Sequence, residues 1–501
     1  MSPYRRFQLF VVYLPVFLLV PLFLATPQEQ DPPRSSLDEW RDTLLYGINS
    51  EIAELLPTLT ENRTEELAPE VVTLLENTSD SDVLTEGLRF LTELDIADGG
   101  DVAETIVQTA EDRPDSLVVS ALVYLDDIVG EVGTSTEDAL FRLAREGAVG
   151  PASAAVSLLA TTGVPSEELI ELYREGVLSE DVRGRILVEL GERGDPEVLP
   201  FIEDVIGEDE EATTTLQRYA IDTLGKLGVE EALPTILRQL GSDDAMTRAY
   251  AVNALRRFDS PDAQEALLTA LRDEFWRVRV AALETIAERQ MADALPAVMY
   301  KVRRDPERRV RLEAVDTLAE LDEADGWALL EEIVTETGAG IDVRSSALDH
   351  LIRQRPRQSR EVVMQVIDSE WDRSNSRLLD VIGRVVSRMT DQQVEPIVAR
   401  LLDHPNYILQ IYGLRAIGTS KLMSLHEIAR DRAGEGNHSA VRSAALRSLE
   451  QLGVAPPSEK EEASDDATGS SDEESSDTTE SSGEDTAPRG DTDRDTENGE
   501  E

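Results

Sequence analysis

Cysteine is absent from this 501-residue chain, and lysine occurs only at Lys226, Lys301, Lys421 and Lys460. Without cysteine there are no disulfides, no thiol catalysis, no cysteine-containing zinc site and no lipoprotein anchor, and the redox compartment stays open. Histidine is as scarce, with His350, His404, His426 and His438 making up all four. Only His426 is followed by a glutamate, Glu427, and no glycine-rich phosphate loop or His-Glu-x-x-His helix is present. Acidic pairs such as Asp243-Asp244 and Glu331-Glu332 are what this composition places on any solvated face. The sequence therefore predicts no catalytic residue, no cofactor and no metal. Aromatic residues make up 5% of the chain, and Trp276, Trp327 and Trp371 are expected to pack between helices rather than stack on bases. Basic charge is outweighed, 48 residues against 101 acidic ones for a net of −53, which disfavours nucleic acid as a partner.

What is present is a repeat. A polar or arginine residue is followed three positions later by a small residue, then at once by an apolar one, and by another apolar three further on. Arg248, Ala251, Val252 and Leu255 show it, as do sets opening at Arg279, Arg311, Arg344 and Arg442. Looser copies open at Leu84, Val118, Ala152, Arg183, Gln217, Asn375 and Gln410. Successive copies lie 31 to 35 residues apart, a period that marks a helical repeat array. The spacing places the small and apolar residues on one helical face, and the small residue lets a neighbouring helix approach closely. Ala251, Ala282, Ala314 and Ala347 should therefore be buried at equivalent positions. A second apolar stretch follows each copy after a turn, as in Ala232 to Leu240 and Ala294 to Val302, so each repeat is a helical hairpin. One hairpin cannot bury its apolar stripe alone, and neighbours must stack. The expected fold class is all-α, an α-solenoid.

The run of Asp273, Val278-Arg279 and Ala281-Ala282-Leu283, with Asp305 and Val310-Arg311 one period later, resembles HEAT repeats of the short phycobilisome-lyase-like type. The resemblance covers about residues 80 to 453 and implies that the recurrent Asp and Arg form a hydrogen-bonded ladder between repeats. Two enzyme families share the scaffold. Deoxyhypusine hydroxylase uses several His-Glu pairs to hold two irons, whereas here only His426-Glu427 forms one. The bilin lyases need a pigment and an acceptor cysteine on a partner, to which nothing in the residues points.

The ends read differently. Arg5 and Arg6 precede an apolar run from Leu9 to Ala25, so residues 7–25 are expected to form a single-pass membrane anchor. The alternatives are a removed export signal and a buried helix. Arg5 and Arg6 put the repeats outside the membrane. Residues 26–38 read as a linker and 39–79 as capping helices. Residues 454–501 read as a disordered acidic tail, with eighteen acids and three bases from Ser458 onward. Asn62, Asn77 and Asn437 sit in glycosylation triplets and support export only slightly. Few lysines among many acids resembles the composition of haloarchaeal proteins.

One stretch reverses the sign of the charge. Lys301, Arg303, Arg304, Arg308, Arg309 and Arg311 face only Asp305 and Glu307, in the turn between two hairpins, and Arg272 and Arg277 occupy the equivalent turn one repeat earlier. A second group, Arg353, Arg355, Arg357 and Arg360, lies at a turn within a hairpin. The bland account pairs these arginines with surrounding carboxylates. The sharper one makes Arg272, Arg277, Lys301, Arg303, Arg304, Arg308 and Arg309 a docking strip for an anionic protein partner. The expected function is a non-enzymatic, membrane-associated interaction scaffold, and the alternative is an enzyme or enzyme accessory on the same scaffold.

Overall fold

The structure is a computed structural model that describes residues 36–175, 178–207, 212–373 and 375–456. These residues form α-helices joined by short turns and contain no strand. They fall into two compact bodies divided between Arg289 and Gln290.

The repeat pattern marks one set of helices. In the amino-terminal body the helices Asn49–Glu61, Ser81–Glu93, Asp115–Tyr124, Val149–Thr161, Glu180–Arg193, Thr214–Leu227, Ala245–Ala254 and Trp276–Glu288 pack each on the next. In the carboxy-terminal body Arg308–Leu321, Ile341–Gln354, Arg377–Val386, Tyr407–Thr419 and Ser439–Leu452 do the same. The alternate helices form a second layer, each packed against its hairpin partner, as Leu295–Arg304 packs on Arg308–Leu321. Helix Asn49–Glu61, ascribed to the cap in the sequence, packs on Ser81–Glu93 as the later helices do. The predicted linker likewise gives way at Ser36, where the first described helix begins.

Eleven of the twelve pattern copies open three residues into a helix of the first layer. The exception is the copy at Asn375, which opens two residues before its helix begins at Arg377; its Leu378, Leu379 and Ile382 are buried all the same, together with Val381, Val385 and Val386. Ala251, Ala282, Ala314 and Ala347 are fully buried. Gly225 shows why small residues are needed, because a Cβ there would lie 2.7 Å from Cα of Ala254 in the next helix.

Local signals set the helix limits. Asp80, Ser179, Thr213 and Asp244 cap first-layer helices, each side chain accepting a backbone N–H of the first turn. Several second-layer helices are entered through a single 3₁₀ turn and carry proline at their start, where its missing N–H costs nothing, as in Leu233–Gln239, Leu295–Arg304 and Glu395–Leu402. Left-handed residues close many first-layer helices, Gly194, Gly228 and Gly453 being joined at equivalent turns by Arg63, Asp95, Gln290, Asp322 and Lys421.

The single-pass anchor is corrected. Among the described residues no helix is long and apolar enough to cross a membrane. The longest, such as Glu180–Arg193, have 14 residues, about 21 Å against the roughly 30 Å of a hydrocarbon core. Residues 7–25, which carried the expectation, lie outside the described residues, as do residues 457–501 of the acidic tail.

Candidate functional site

The recurrent arginine turns back from its helix onto the carbonyls of the preceding inter-hairpin turn. Arg279 Nη1 donates to the carbonyls of Asp273 (2.8 Å) and Glu274 (3.0 Å), and Arg311 Nη1 to those of Asp305 (2.8 Å) and Pro306 (3.1 Å). Arg344 reaches the Val334 carbonyl through Nε and Nη2. Arg248 does the same to Ser242 and Asp243, and also grips the carboxylate of Asp273 in the following turn at 2.7 and 2.8 Å. Asp273 in turn accepts the N–H of Phe275. Burial works against its charge, but the Arg248 and Phe275 bonds outweigh it and hold the carboxyl below its ordinary range. Among these bonds, Arg248 with Asp273 is the Arg–Asp link between repeats that the resemblance implied. The set is structural, because each of these arginines is consumed by backbone carbonyls, those of the turn before its own helix or, for Arg344, that of Val334 in the preceding helix.

The predicted docking strip is divided between the two bodies and mostly paired. In the amino-terminal body Arg277 lies over the Trp276 ring, 5.2 Å from its centroid, while Arg272 is exposed beside a groove of about 520 Å³ that also includes Leu237, Glu265 and Thr269. In the carboxy-terminal body Lys301 bonds the buried Asp305 at 3.1 Å, and Arg303 pairs with Glu332. Arg308 pairs with Asp342, which also meets Arg377 at 2.7 Å. The Asp342 carboxyl is accordingly lowered, first by the Arg308 bond, against the opposing effect of desolvation. Glu307 caps the following helix and accepts the N–H of Arg309. Arg272 and Arg304 have no ion pair among the described residues. Of the second arginine group, Arg353 pairs with Asp349, and Arg355 pairs with Asp322 while covering the Trp327 ring at 4.5 Å.

The histidines are absorbed locally. His404 is buried, its Nε2 bonded to the Trp371 carbonyl at 2.9 Å and its Nδ1 accepting the Asn406 N–H at 3.0 Å. His350 meets Asp316 at 2.7 Å, and His438 caps its helix by accepting the Ala440 N–H. His426 meets Glu427 and the Met423 carbonyl. Among the described residues no cluster of His, Asp or Glu could hold a metal ion.

Unspent positive charge lies elsewhere, on the surface of the first-layer helices near the carboxy end. Eight residues after the helix start, Arg308–Leu321 carries Asp316 and Ile341–Gln354 carries Asp349, whereas Tyr407–Thr419 carries Arg415 and Ser439–Leu452 carries Arg447. In the helix between them, Arg377–Val386, this position is the buried Val385, and Gly383 packs under the ring of Tyr412. Arg415 and Arg447 flank a groove of about 440 Å³ with Ser387, Thr419, Ser443 and Gln451. Both are exposed, and neither guanidinium has a hydrogen bond or ion pair among the described residues. Ser448, 1% exposed, also lines the groove, and its buried Oγ has no hydrogen-bond partner among the described residues. Helix Tyr407–Thr419 contains no acid at all, and Ser439–Leu452 only Glu450. Counting charge in a contiguous window misses this groove, because its arginines lie one repeat apart at 415 and 447. Counting at the repeat period finds them.

Residues 44–448 match the family described as Spirochaete HEAT repeat protein. No curated protein matches the chain. Among solved structures, Kap121p aligns with 82% of this chain at 11% identity and a TM-score of 0.41, and the alignment covers 53% of its own length. This chain thus spans about half of that protein. Importin beta aligns with 83% of this chain and 69% of its own, at 13% identity and a TM-score of 0.42. The CpcE and CpcF complex of phycocyanin lyase from Nostoc sp. PCC7120 aligns with 58% of this chain and 95% of its own, at 16% identity and a TM-score of 0.28.

Proposed function

The chain belongs to the Spirochaete HEAT repeat protein family, and from that premise we propose that it is a non-enzymatic interaction scaffold whose docking site is the Arg415–Arg447 groove. The partner it fits is a protein segment rich in carboxylates. The carrying observation is the change at one repeat position from Asp316 and Asp349 to Arg415 and Arg447, with neither arginine neutralised within the fold. A guanidinium pairs with a carboxylate through two parallel bonds, so two such groups a repeat apart suit an acidic chain laid across both helices. The Ser443 hydroxyl supplies a further donor to the same oxygens, whereas those of Ser387 and Thr419 already donate to backbone carbonyls. A long nucleic acid meets a protein of net −53, whose field opposes its approach. The strip at Lys301 to Arg309 is the weaker candidate because Asp305, Glu332 and Asp342 already pair with Lys301, Arg303 and Arg308. No observation favours the enzyme alternative.

The test is binding of a labelled glutamate-rich peptide to the purified protein, read by fluorescence anisotropy. Replacing Arg415→Ser and Arg447→Ser together should weaken binding by at least about tenfold, the loss of roughly one charge-assisted bond. Replacing Arg303→Ser and Arg308→Ser should leave it within about twofold. Equal loss from both pairs, or tighter binding of single-stranded RNA than of the peptide, would replace this reading.

A further inference from the structure

We infer that the first occupant of the Arg415–Arg447 groove is the chain's own acidic segment, residues 458–501, which competes with any external acidic partner. The inference rests on the docking reading above and adds how access to the site is controlled. Three observations carry it. The groove is lined along its length by Ala440, Ser443, Arg447 and Gln451 of helix Ser439–Leu452, and this helix ends at Gly453, five residues before the acidic segment starts. The segment from Ser458 carries eighteen acids and three bases, against Arg415 and Arg447 with no intramolecular partner among the described residues. The buried Oγ of Ser448 on the groove wall has no hydrogen-bond partner among the described residues and is open to an acceptor.

Reach does not limit the contact. Helix Ser439–Leu452 has 14 residues and is about 21 Å long, whereas the 44 residues beyond Pro457 could extend to roughly 140 Å. Gly453 is left-handed, with φ of 73°, and so reverses the chain at the helix end. Tethering makes the encounter intramolecular, and a short tether corresponds to an effective concentration of about a millimolar. Weak individual contacts then suffice to hold off a partner present at micromolar levels. No single acidic cluster is required, since Glu461-Glu462, Asp465-Asp466 and Asp472-Glu473-Glu474 present similar pairs of carboxylates, and exchange among them keeps the block displaceable.

The experiment compares the full chain with a chain ending at Pro456, which keeps every described residue after Gly453. The probe is the same glutamate-rich peptide, titrated in low salt and in about 1 M salt. In low salt the shortened chain should bind the probe at least about tenfold more tightly than the full chain, and a synthetic 458–501 peptide added in trans should displace the probe. Arg415→Ser with Arg447→Ser should abolish both effects. At 1 M salt, with a screening length of about 3 Å, the difference between full and shortened chains should shrink. If the two chains bind the probe equally, the acidic segment is not the occupant and the docking reading stands. If neither chain binds the probe, both the docking reading and this inference fall.

Discussion

Arg248 and Asp273, twenty-five residues apart, meet as a two-bonded pair, Nε to Oδ2 at 2.7 Å and Nη2 to Oδ1 at 2.8 Å. The pair ties helix Ala245–Ala254 to the turn that begins the next hairpin, and each partner is simultaneously fixed by backbone groups. Their side chains are only 18% and 15% exposed, so removing one leaves the other desolvated and uncompensated. Arg248→Ala should therefore cost about 3 kcal/mol. Asp273→Ala should cost as much, and the double variant should cost clearly less than the sum of the two. Urea unfolding of all four proteins measures this coupling, and strict additivity would mean that the pair contributes nothing jointly.

Close packing of the first layer gives the second expectation. Alanine has the higher helix propensity by about 1 kcal/mol, so on that ground Gly225→Ala should stabilise. The new methyl would, however, sit 2.7 Å from backbone Cα of Ala254, which cannot rotate away. Overpacking wins, and the variant should lose about 1 to 3 kcal/mol, as should Ala282→Leu at a fully buried site. A thermal midpoint unchanged or raised in Gly225→Ala would show that the helices separate freely.

The repeat period, the hairpin and the burial of Ala251, Ala282, Ala314 and Ala347 were all legible in the sequence, because a 3.6-residue face requires small and apolar residues at fixed offsets. The ladder was legible as far as a resemblance could take it. The register at Asn375 was not, since Leu378, Leu379, Val381 and Ile382 support two overlapping copies of the pattern and all four are buried. Pairing within the docking strip was hidden for a related reason. Adjacent arginines in sequence are the ones that stacked hairpins supply with carboxylates from the next repeat, as Asp342 does for Arg308. Arg415 and Arg447 stay unpaired because their neighbouring helices carry almost no acids, a property visible only when the sequence is folded at its own period.

Left-handed turns offer a pair of opposite outcomes. Arg63 sits at φ of 50° and its side chain makes no bond among the described residues, so it bears the strain of a Cβ in that conformation without return. Arg63→Gly should stabilise by up to about 1 kcal/mol. Asp322, at φ of 54°, accepts from Trp327 Nε1 at 2.8 Å and from Arg355 Nη2 at 2.6 Å. Asp322→Gly relieves the same strain but strands two donors, so it should destabilise. Calorimetric midpoints that move in the same direction for both variants would rule out this balance.

One contribution to acid sensitivity can be read at a single residue. The Asp244 carboxyl is held at about 2, first by the backbone N–H of Thr247, then by the Thr247 hydroxyl and by Arg218. A folded-state value below the unfolded one, near 3.9, contributes stability that is complete above about pH 4 and disappears as pH falls through about 2. The whole chain works in the opposite sense over this window, because protonating carboxylates relieves the self-repulsion of a net −53. The difference between variant and parent is therefore the quantity to read. Asp244→Ser keeps a capping oxygen for the helix but has no charge to lose, so it should be less stable than the parent at pH 6 and approach it by pH 2. Urea midpoints recorded every half unit between those limits would decide it, and a gap that stays constant would mean that Asp244 is not held in its charged form by these bonds.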